Sequence, residues 1–484
     1  MPADPQDTSH APGRRIARNA AVRAGGEAIA KLASIAFFVV MARELGQDGF
    51  GEFMFALSLS TVLVLASGFG TEELVAREVA RDRTRVHGYL ANVAAVKVGT
   101  SVILLIVAAM IVNLGDWPPE ARAAVYIVGA GVALENLGRT WHSVFTAYER
   151  LGMISISLVI QRTLTAGVGI TVLLAGGGVV AVSVVFAVGA LIGLLIATQV
   201  LRRFVVAPKW EIDRSRWLPL VKAGVPIGLA ALLFTILLRL DATLLGLLTG
   251  GEDNREVGVY AAAFRLVEGT LFVSWAFTAS VLPWLSRQTE DANVARGYEL
   301  GIKAITSVLM PIGLGFVLLA SPLIHLLYGP DYADAVLPLQ LLGVMTVLYG
   351  LNSLASTVLI TRDRPQDFTW IVAFVTVENV VLNLIMIPKY GADGTAFNAA
   401  LSGVLLAVLS ISLVGRHFGR IRLLRAFGAP VAGGLAMAAV LLPTDLPLVP
   451  AAAVGVVAYL AGLLAFERLV FPADLATVRA AIWR

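Results

Sequence analysis

YLANVAAVKVGTSVILLIVAAMIV, residues 89–112, runs for 24 residues with Lys97 as its single charge. As a helix rising 1.5 Å per residue it would cover ~36 Å, enough to cross a hydrocarbon core of about 30 Å. Stretches of the same kind recur at 24–42, 53–69, 123–147, 153–175, 178–200, 218–247, 257–282, 301–320, 335–361, 368–388, 392–415, 426–443 and 446–469, fourteen with the first. Across the 484 residues, 58% are hydrophobic and 14% charged, against roughly 25% charged in a soluble protein. With a mean hydropathy of +0.82, most of that apolar surface must face lipid, and an all-α membrane protein is predicted.

Several function classes drop out at once. There is no cysteine, which removes disulfides, thiolate metal sites and cysteine nucleophiles. The five histidines form no His-x-x-x-His or His-Glu pair, so no metal site and no cofactor are expected. The 46 glycines and 20 prolines are too dispersed for a low-complexity chain. The connections hold no soluble domain, and the first apolar stretch is too long for a signal-peptide core, so it is read as retained.

The net charge of +4 suits either a nucleic-acid partner or an excess of Lys and Arg in cytoplasmic loops. Position decides. With the N-terminus inside, cytoplasmic segments carry 26 of the 37 basic residues, external segments 4, and the spans 7. That asymmetry predicts a multi-pass protein with both termini cytoplasmic. It spreads the basic residues over eight segments with no interleaved aromatic platform for stacking bases, and no nucleic-acid partner is expected.

The chain also repeats itself at an offset of about 207 residues. Gly51-Glu52-Phe53 matches Gly258-Val259-Tyr260, Gly88-Tyr89 matches Gly297-Tyr298, and Lys97 with Thr100-Ser101-Val102 matches Lys303 with Thr306-Ser307-Val308. The offset spans six helices, an even number, so the two copies share one topology about an axis along the membrane normal. The predicted organisation is a disordered cytoplasmic N-terminus (1–12), a six-helix N-lobe (13–200), a basic cytoplasmic connection (201–222) and a six-helix C-lobe (223–415). Two C-terminal helices and a cytoplasmic tail (416–484) complete it. Lobes of this kind rock to expose a cavity alternately to each side, which points to a transporter; Pro226 and Pro311 supply bend points within helices seven and nine.

Function should lie with the charges inside the spans: Lys31, Lys97, Arg139, Arg162, Arg239, Arg265 and Lys303, with Glu27, Glu135, Asp241, Glu268 and Glu378. A charge at the bilayer centre costs at least ~2.5–3.5 kcal/mol on insertion scales, so such groups face protein or a water-filled cavity. Glu135 with Arg139 and Arg265 with Glu268 are spaced to pair on their own helices. Lys97, Lys303 and Arg162 can either snorkel to the headgroups or line a cavity. Lys31 and Arg239 sit near mid-span in equivalent first helices. With Arg265 they are the leading candidates for a basic cavity binding an anionic cargo such as phosphate. Asp241 and Glu378, without a basic neighbour in sequence, are candidates for proton or sodium coupling, the alternative being ion pairs across helices.

Several segments are similar to the polysaccharide-biosynthesis flippases, the Wzx-like branch of the multidrug/oligosaccharidyl-lipid/polysaccharide superfamily. Ala42-Arg43-Glu44-Leu45-Gly46-Gln47-Asp48-Gly49-Phe50-Gly51 resembles their A-R-x-L-G-x-x-x-[FY]-G turn. Gly68-Phe69-Gly70 with Arg77-Glu78, Tyr148-Glu149-Arg150, Val257-Gly258-Val259-Tyr260 with Arg265-Leu266, Ile324 to Tyr332, and Asn383-Leu384 with Ile387-Pro388, Gly391 and Gly394 follow in the family's order. The resemblance implies a flippase for an undecaprenyl-diphosphate-linked oligosaccharide in a bacterial plasma membrane, with membrane lipids and polysaccharide assembly proteins as partners. It transfers the anionic head to Lys31, Arg239 and Arg265 by location only. The alternatives are a lipid II flippase of the same superfamily and a cation-coupled multidrug exporter. An enzyme is not expected, because the first external connection is a short turn bearing only Glu44 and Asp48.

Overall fold

The computed structural model describes residues 11–249, 254–288 and 290–472. The expectations for residues 1–10 and for the end of the C-terminal tail lie outside them. Every regular element described is helical. The chain runs through α1 (Ala11–Ala66), α2 (Thr71–Arg81), α3 (Val86–Leu114), α4 (Pro119–Ala147), α5 (Leu151–Leu174), α6 (Val179–Phe204) and α7 (Trp217–Thr249). It continues through α8 (Arg255–Arg287), α9 (Asp291–Leu318), α10 (Ala320–Tyr328), α11 (Val336–Thr361), α12 (Pro365–Phe418), α13 (Leu423–Leu441) and α14 (Leu448–Val470). Short 3-10 turns at Arg83–Arg85, Arg214–Arg216 and Pro330–Ala335 precede α3, α7 and α11.

Among the described residues, ten helices are long and apolar enough to cross a membrane. Two long elements are each two helices joined at a glycine. Gly46 stands at φ 68, ψ −175 inside α1, and Gly391 at φ 50, ψ −127 inside α12. A Cβ is strongly disfavoured at both conformations, so the helical run must break there. Both glycines sit in the segments that carry the family resemblance.

Two helices appear that hydropathy does not anticipate. α2 occupies what reads as a cytoplasmic loop. Glu72 and Glu73 in its first turn and Arg81 in its last complement the helix dipole. Its apolar side is too short to span, but buries Leu74, Val75 and Val79 against Leu90, Val93, Trp141 and Phe145. α10 begins where the ninth span was expected to end, and Gly329 at φ 93 separates it from the following 3-10 turn.

The chain divides into two compact units, one running to Leu232 and one from Leu233 onward. The division falls within α7, because its first turns belong to the N-terminal unit: Leu220 joins that unit's core, and Gly224 leaves room for the backbone of Phe69 and Gly70 to pass. In the second unit Tyr298, Ile302, Ile305 and Leu309 of α9 pack with Leu351, Leu354 and Val358 of α11 and Val372 and Val375 of α12. α13 and α14 cross closely at Gly433, where an added Cβ would lie 2.8 Å from the Tyr459 carbonyl. Outward positions stay apolar, as with Ile103 and Val457, both mostly exposed, the surface that hydrocarbon rather than water accepts.

Candidate functional site

Three embedded charges meet in the second unit. Glu268 of α8 accepts from Arg265 Nη1, one turn earlier on the same helix, at 2.6 Å, and its other oxygen accepts from Arg239 Nη2 of α7. Two guanidinium groups thus share one carboxylate. The three side chains are 12–24% exposed, shielded from bulk solvent without being sealed from it.

Asp241 leaves α7 on another face, as its two-residue offset from Arg239 requires, and enters a polar network. It is buried; Oδ1 accepts from Asn383 Nδ2 at 2.7 Å and Oδ2 from the Tyr260 hydroxyl at 3.2 Å. Asn383 Nδ2 also reaches Asn379 Oδ1 at 3.1 Å, Asn379 Nδ2 donates to Ser402 Oγ at 3.2 Å, and Ser402 Oγ donates to Glu378 Oε2 at 2.9 Å. Asn398 Nδ2 closes the chain on the Asn379 carbonyl at 2.8 Å. Five of these residues lie on α12, Glu378, Asn379 and Asn383 before Gly391 and Asn398 and Ser402 after it, so the break at that glycine is what brings the two halves of the network together.

The network is rich in acceptors and short of donors. Asn383 Oδ1, Asn398 Oδ1, Glu378 Oε1 and the nearby Asn352 Oδ1 are buried without a hydrogen-bond partner. No ion pair to Asp241 or Glu378 occurs among the described residues. A cavity of about 30 Å³ opens beside Asp241, Asn352, Asn379 and Ser402, room for about one water-sized occupant. Burying a carboxylate amid unpaired oxygens is costly unless something positive or protic neutralises it. No cluster of three His, Cys, Asp or Glu side chains is present among the described residues; the groups that converge here are carboxylate, amide and hydroxyl oxygens.

The first unit handles its embedded charge differently. Lys97 is 1% exposed; its Nζ donates to Glu72 Oε1 of α2 at 2.7 Å and to the Asn136 carbonyl of α4 at 3.1 Å, rather than reaching the headgroups. Asn136 in turn donates to Ser67 Oγ. Glu135 accepts from Gln161 at 2.7 Å, and no Glu135–Arg139 ion pair occurs among the described residues. Arg162 stands exposed on α5 and Lys31 half-buried on α1. In the second unit Lys303, aligned with Lys97 by the repeat, is held by Glu467 of α14 and lies 5.1 Å from the Phe471 ring.

Sequence spacing exposes only one of these pairings, Arg265 with Glu268. Glu72 reads as a loop residue in the sequence, and Tyr260, Asn398 and Ser402 as single polar residues in apolar runs, which carry no signal until the helices are folded together.

Comparison with known proteins adds three observations. A family model described as polysaccharide biosynthesis protein matches residues 16–289, more than half the chain. The chain is similar to a probable flippase, AglR, of Haloferax volcanii (28% identical over 42% of this chain and 43% of that protein) and to a probable low-salt glycan biosynthesis flippase, Agl15, of the same organism (22%, covering 78% of each). Its match to the first thus spans less than half of that relative's length. Among solved structures, the lipid II flippase MurJ in an inward closed conformation superposes with a TM-score of 0.74 at 15% identity, covering 92% of this chain and 99% of that one. An inward-facing multidrug resistance MATE family transporter of the MOP superfamily gives 0.60 at 16%, covering 81% and 94%. At such identities the likeness is one of fold.

Proposed function

The chain belongs to the polysaccharide biosynthesis protein family, membrane flippases of the MOP superfamily rather than enzymes, and from that premise we propose that it moves a polyprenyl-diphosphate-linked oligosaccharide across the membrane by alternating access. Undecaprenyl diphosphate in a bacterial plasma membrane is the carrier the resemblance implies. The topology we propose has fourteen crossings: two each by α1 and α12 around their glycines, and one each by α3 to α9, α11, α13 and α14. Both termini are cytoplasmic. The sequence repeat supports reading the chain as two six-helix lobes of one topology, with α13 and α14 appended.

The observation that carries this reading is the pair of guanidinium groups on Glu268. A glycan hydroxyl costs ~2–7 kcal/mol if carried unsatisfied through hydrocarbon and an ionised diphosphate far more, so polar groups must accompany them while the prenyl tail stays in lipid. Arg239 and Arg265 offer planar forks that match phosphate oxygens. When the site is empty Glu268 holds both; a diphosphate of greater charge displaces it, so cargo binding and release exchange one anion for another. We assign Lys31 to the same cargo. Lys97 and Lys303, each committed to a carboxylate, we assign to holding helices together, and Arg162 to the lipid or headgroup boundary. Asp241 and Glu378 we assign to a coupling proton or sodium ion.

Deleting the gene should leave the complete lipid-linked oligosaccharide on the cytoplasmic leaflet; its normal export would sink the proposal. Arg239→Ala and Arg265→Ala should each lower export roughly tenfold or more, the loss of a charged hydrogen bond of ~1.5–3 kcal/mol, at unchanged membrane levels. Accumulation of the peptidoglycan precursor lipid II instead would identify the chain as a lipid II flippase. Dye efflux with no glycolipid phenotype would identify a multidrug exporter.

A further inference from the structure

The segment between α6 and α7 is held by one buried amide. Asn92 of α3 is fully enclosed and uses its whole hydrogen-bonding capacity: Nδ2 donates to the carbonyls of Gly88 (2.8 Å) and Glu211 (3.0 Å), and Oδ1 accepts from the Asp213 N–H (2.8 Å) and the Trp217 indole N–H (3.1 Å). It grips residues 211 and 213 as a neighbouring strand would. The Lys209 N–H adds a bond to His87 Nδ1 at 3.3 Å. Asp213, extended at φ −128, ψ 104, then caps the Arg214–Arg216 turn, accepting from Ser215 N–H at 3.0 Å, Ser215 Oγ at 2.6 Å and Arg216 Nε at 3.1 Å. Those Ser215 hydrogen bonds, helped by Arg216, hold its carboxyl below the usual range.

A segment fixed this firmly still turns large apolar side chains outward. Trp210 is 60% exposed and Ile212 55%, with Phe204 and Leu218 exposed on either side. Arg202 and Arg203 just before Phe204, and Lys209, Arg214 and Arg216 among the others, are all exposed, against Glu211 and the already engaged Asp213. This combination follows directly on Val179–Phe204, a helix long and apolar enough to cross a membrane, and leads into α7, whose stretch Leu232–Thr249 is another. Water is a poor partner for the apolar half. A headgroup layer suits both halves: indole and aliphatic side chains sit at its acyl boundary while Lys and Arg meet lipid phosphates.

We propose that residues 203–218 form an interfacial anchor for a membrane surface of anionic phospholipid, with Trp210 and Ile212 entering the headgroup region and Arg203, Lys209 and Arg214 pairing with lipid phosphates. Asn92 is the positioning residue that presents the segment. The anchor does not depend on the identity of the cargo.

Because the chain has no cysteine, Ile212→Cys carrying an environment-sensitive fluorophore reports this point alone. In vesicles of phosphatidylcholine containing phosphatidylglycerol, its emission should shift to the blue and be quenched severalfold by lipids bearing a shallow doxyl group. In phosphatidylcholine alone the shift and quenching should be smaller. Lys209→Gln with Arg214→Gln should erase that difference without moving the thermal midpoint. Equal quenching in both lipid compositions, or a difference that survives the double substitution, would overturn the anionic pairing. Water-like, unquenched emission throughout, as for a face that docks a soluble protein, would overturn the anchor altogether.

Discussion

Replacing Gly391 with alanine tests how the polar network of the second unit is built. At φ 50, ψ −127 the backbone is one that an L residue adopts only at a cost of ~1–3 kcal/mol. The added methyl would also overlap Glu256 Oε2 and lie 2.7 Å from its Cδ. A glutamate can swing aside, so the overlap itself is cheap; what is lost is its role. Glu256 Oε2 accepts from the Ala392 N–H at 2.7 Å, capping the second half of α12. A hydrogen bond to a charged group is worth ~1.5–3 kcal/mol, so the total is roughly 2.5–6 kcal/mol. Gly46→Ala is the control: its conformation is equally hostile, but nothing lies within 4 Å of the new methyl, so only the strain of ~1–3 kcal/mol applies. Intrinsic tryptophan fluorescence in one detergent at one heating rate gives comparable apparent midpoints even where unfolding is irreversible. Gly391→Ala should fall well below Gly46→Ala, and in a Glu256→Ala background its extra penalty should vanish. If Gly391→Ala costs no more than Gly46→Ala, or if the penalty ignores Glu256, the capping argument is wrong.

Two further substitutions separate structural from functional charge. Lys97→Met strands Glu72, which is 27% exposed, and should cost ~3 kcal/mol, the low end for breaking a buried pair; Lys97→Met with Glu72→Gln should recover most of it. A double variant as unstable as the single one would mean that Lys97 acts through packing. Asp241→Asn should fold normally yet abolish any thermal stabilisation by sodium or by acid, an effect of ~2.7 kcal/mol when the ligand stands at a hundred times its Kd. A wild-type midpoint indifferent to both, or a variant that keeps the response, rules out coupling at this site.

How much of this was legible beforehand depends on the range of the interaction. Apolar runs long enough to span are local, so most helices fall within a few residues of their expected bounds. Gly46 and Gly391 could be singled out by their motifs, although not the backbone angles that require glycine. Arg265 with Glu268 is readable because a helix sets what lies three residues away. Arg239 with Glu268, 29 residues apart, is not, since no local rule says which faces of α7 and α8 meet. α2 was missed for a different reason: a scan for spans discards an amphipathic run of 11 residues, and with it the partner of Lys97. Asn92 was hidden by its company, one amide in the run that identifies the membrane, with nothing to show that it would hold a segment more than a hundred residues away.

Lys97 and Lys303 show how a repeated sequence can keep a charge and change its solution. The repeat aligns the two lysines, and each ends against a carboxylate, because an ammonium taken out of water needs a counter-charge whichever lobe it occupies. In the first unit that carboxylate comes from α2, a short helix that follows α1 in the chain and packs on α4. In the second unit no such helix follows α8 among the described residues, and the carboxylate comes from Glu467 on α14. α14 is one of the two helices that lie outside the repeat. The appended pair therefore completes the second unit electrostatically where the first is completed from within. Removing α13 and α14 should thus take Glu467 away from Lys303 as well as exposing the apolar face of α9 against which Met437 and Leu441 pack.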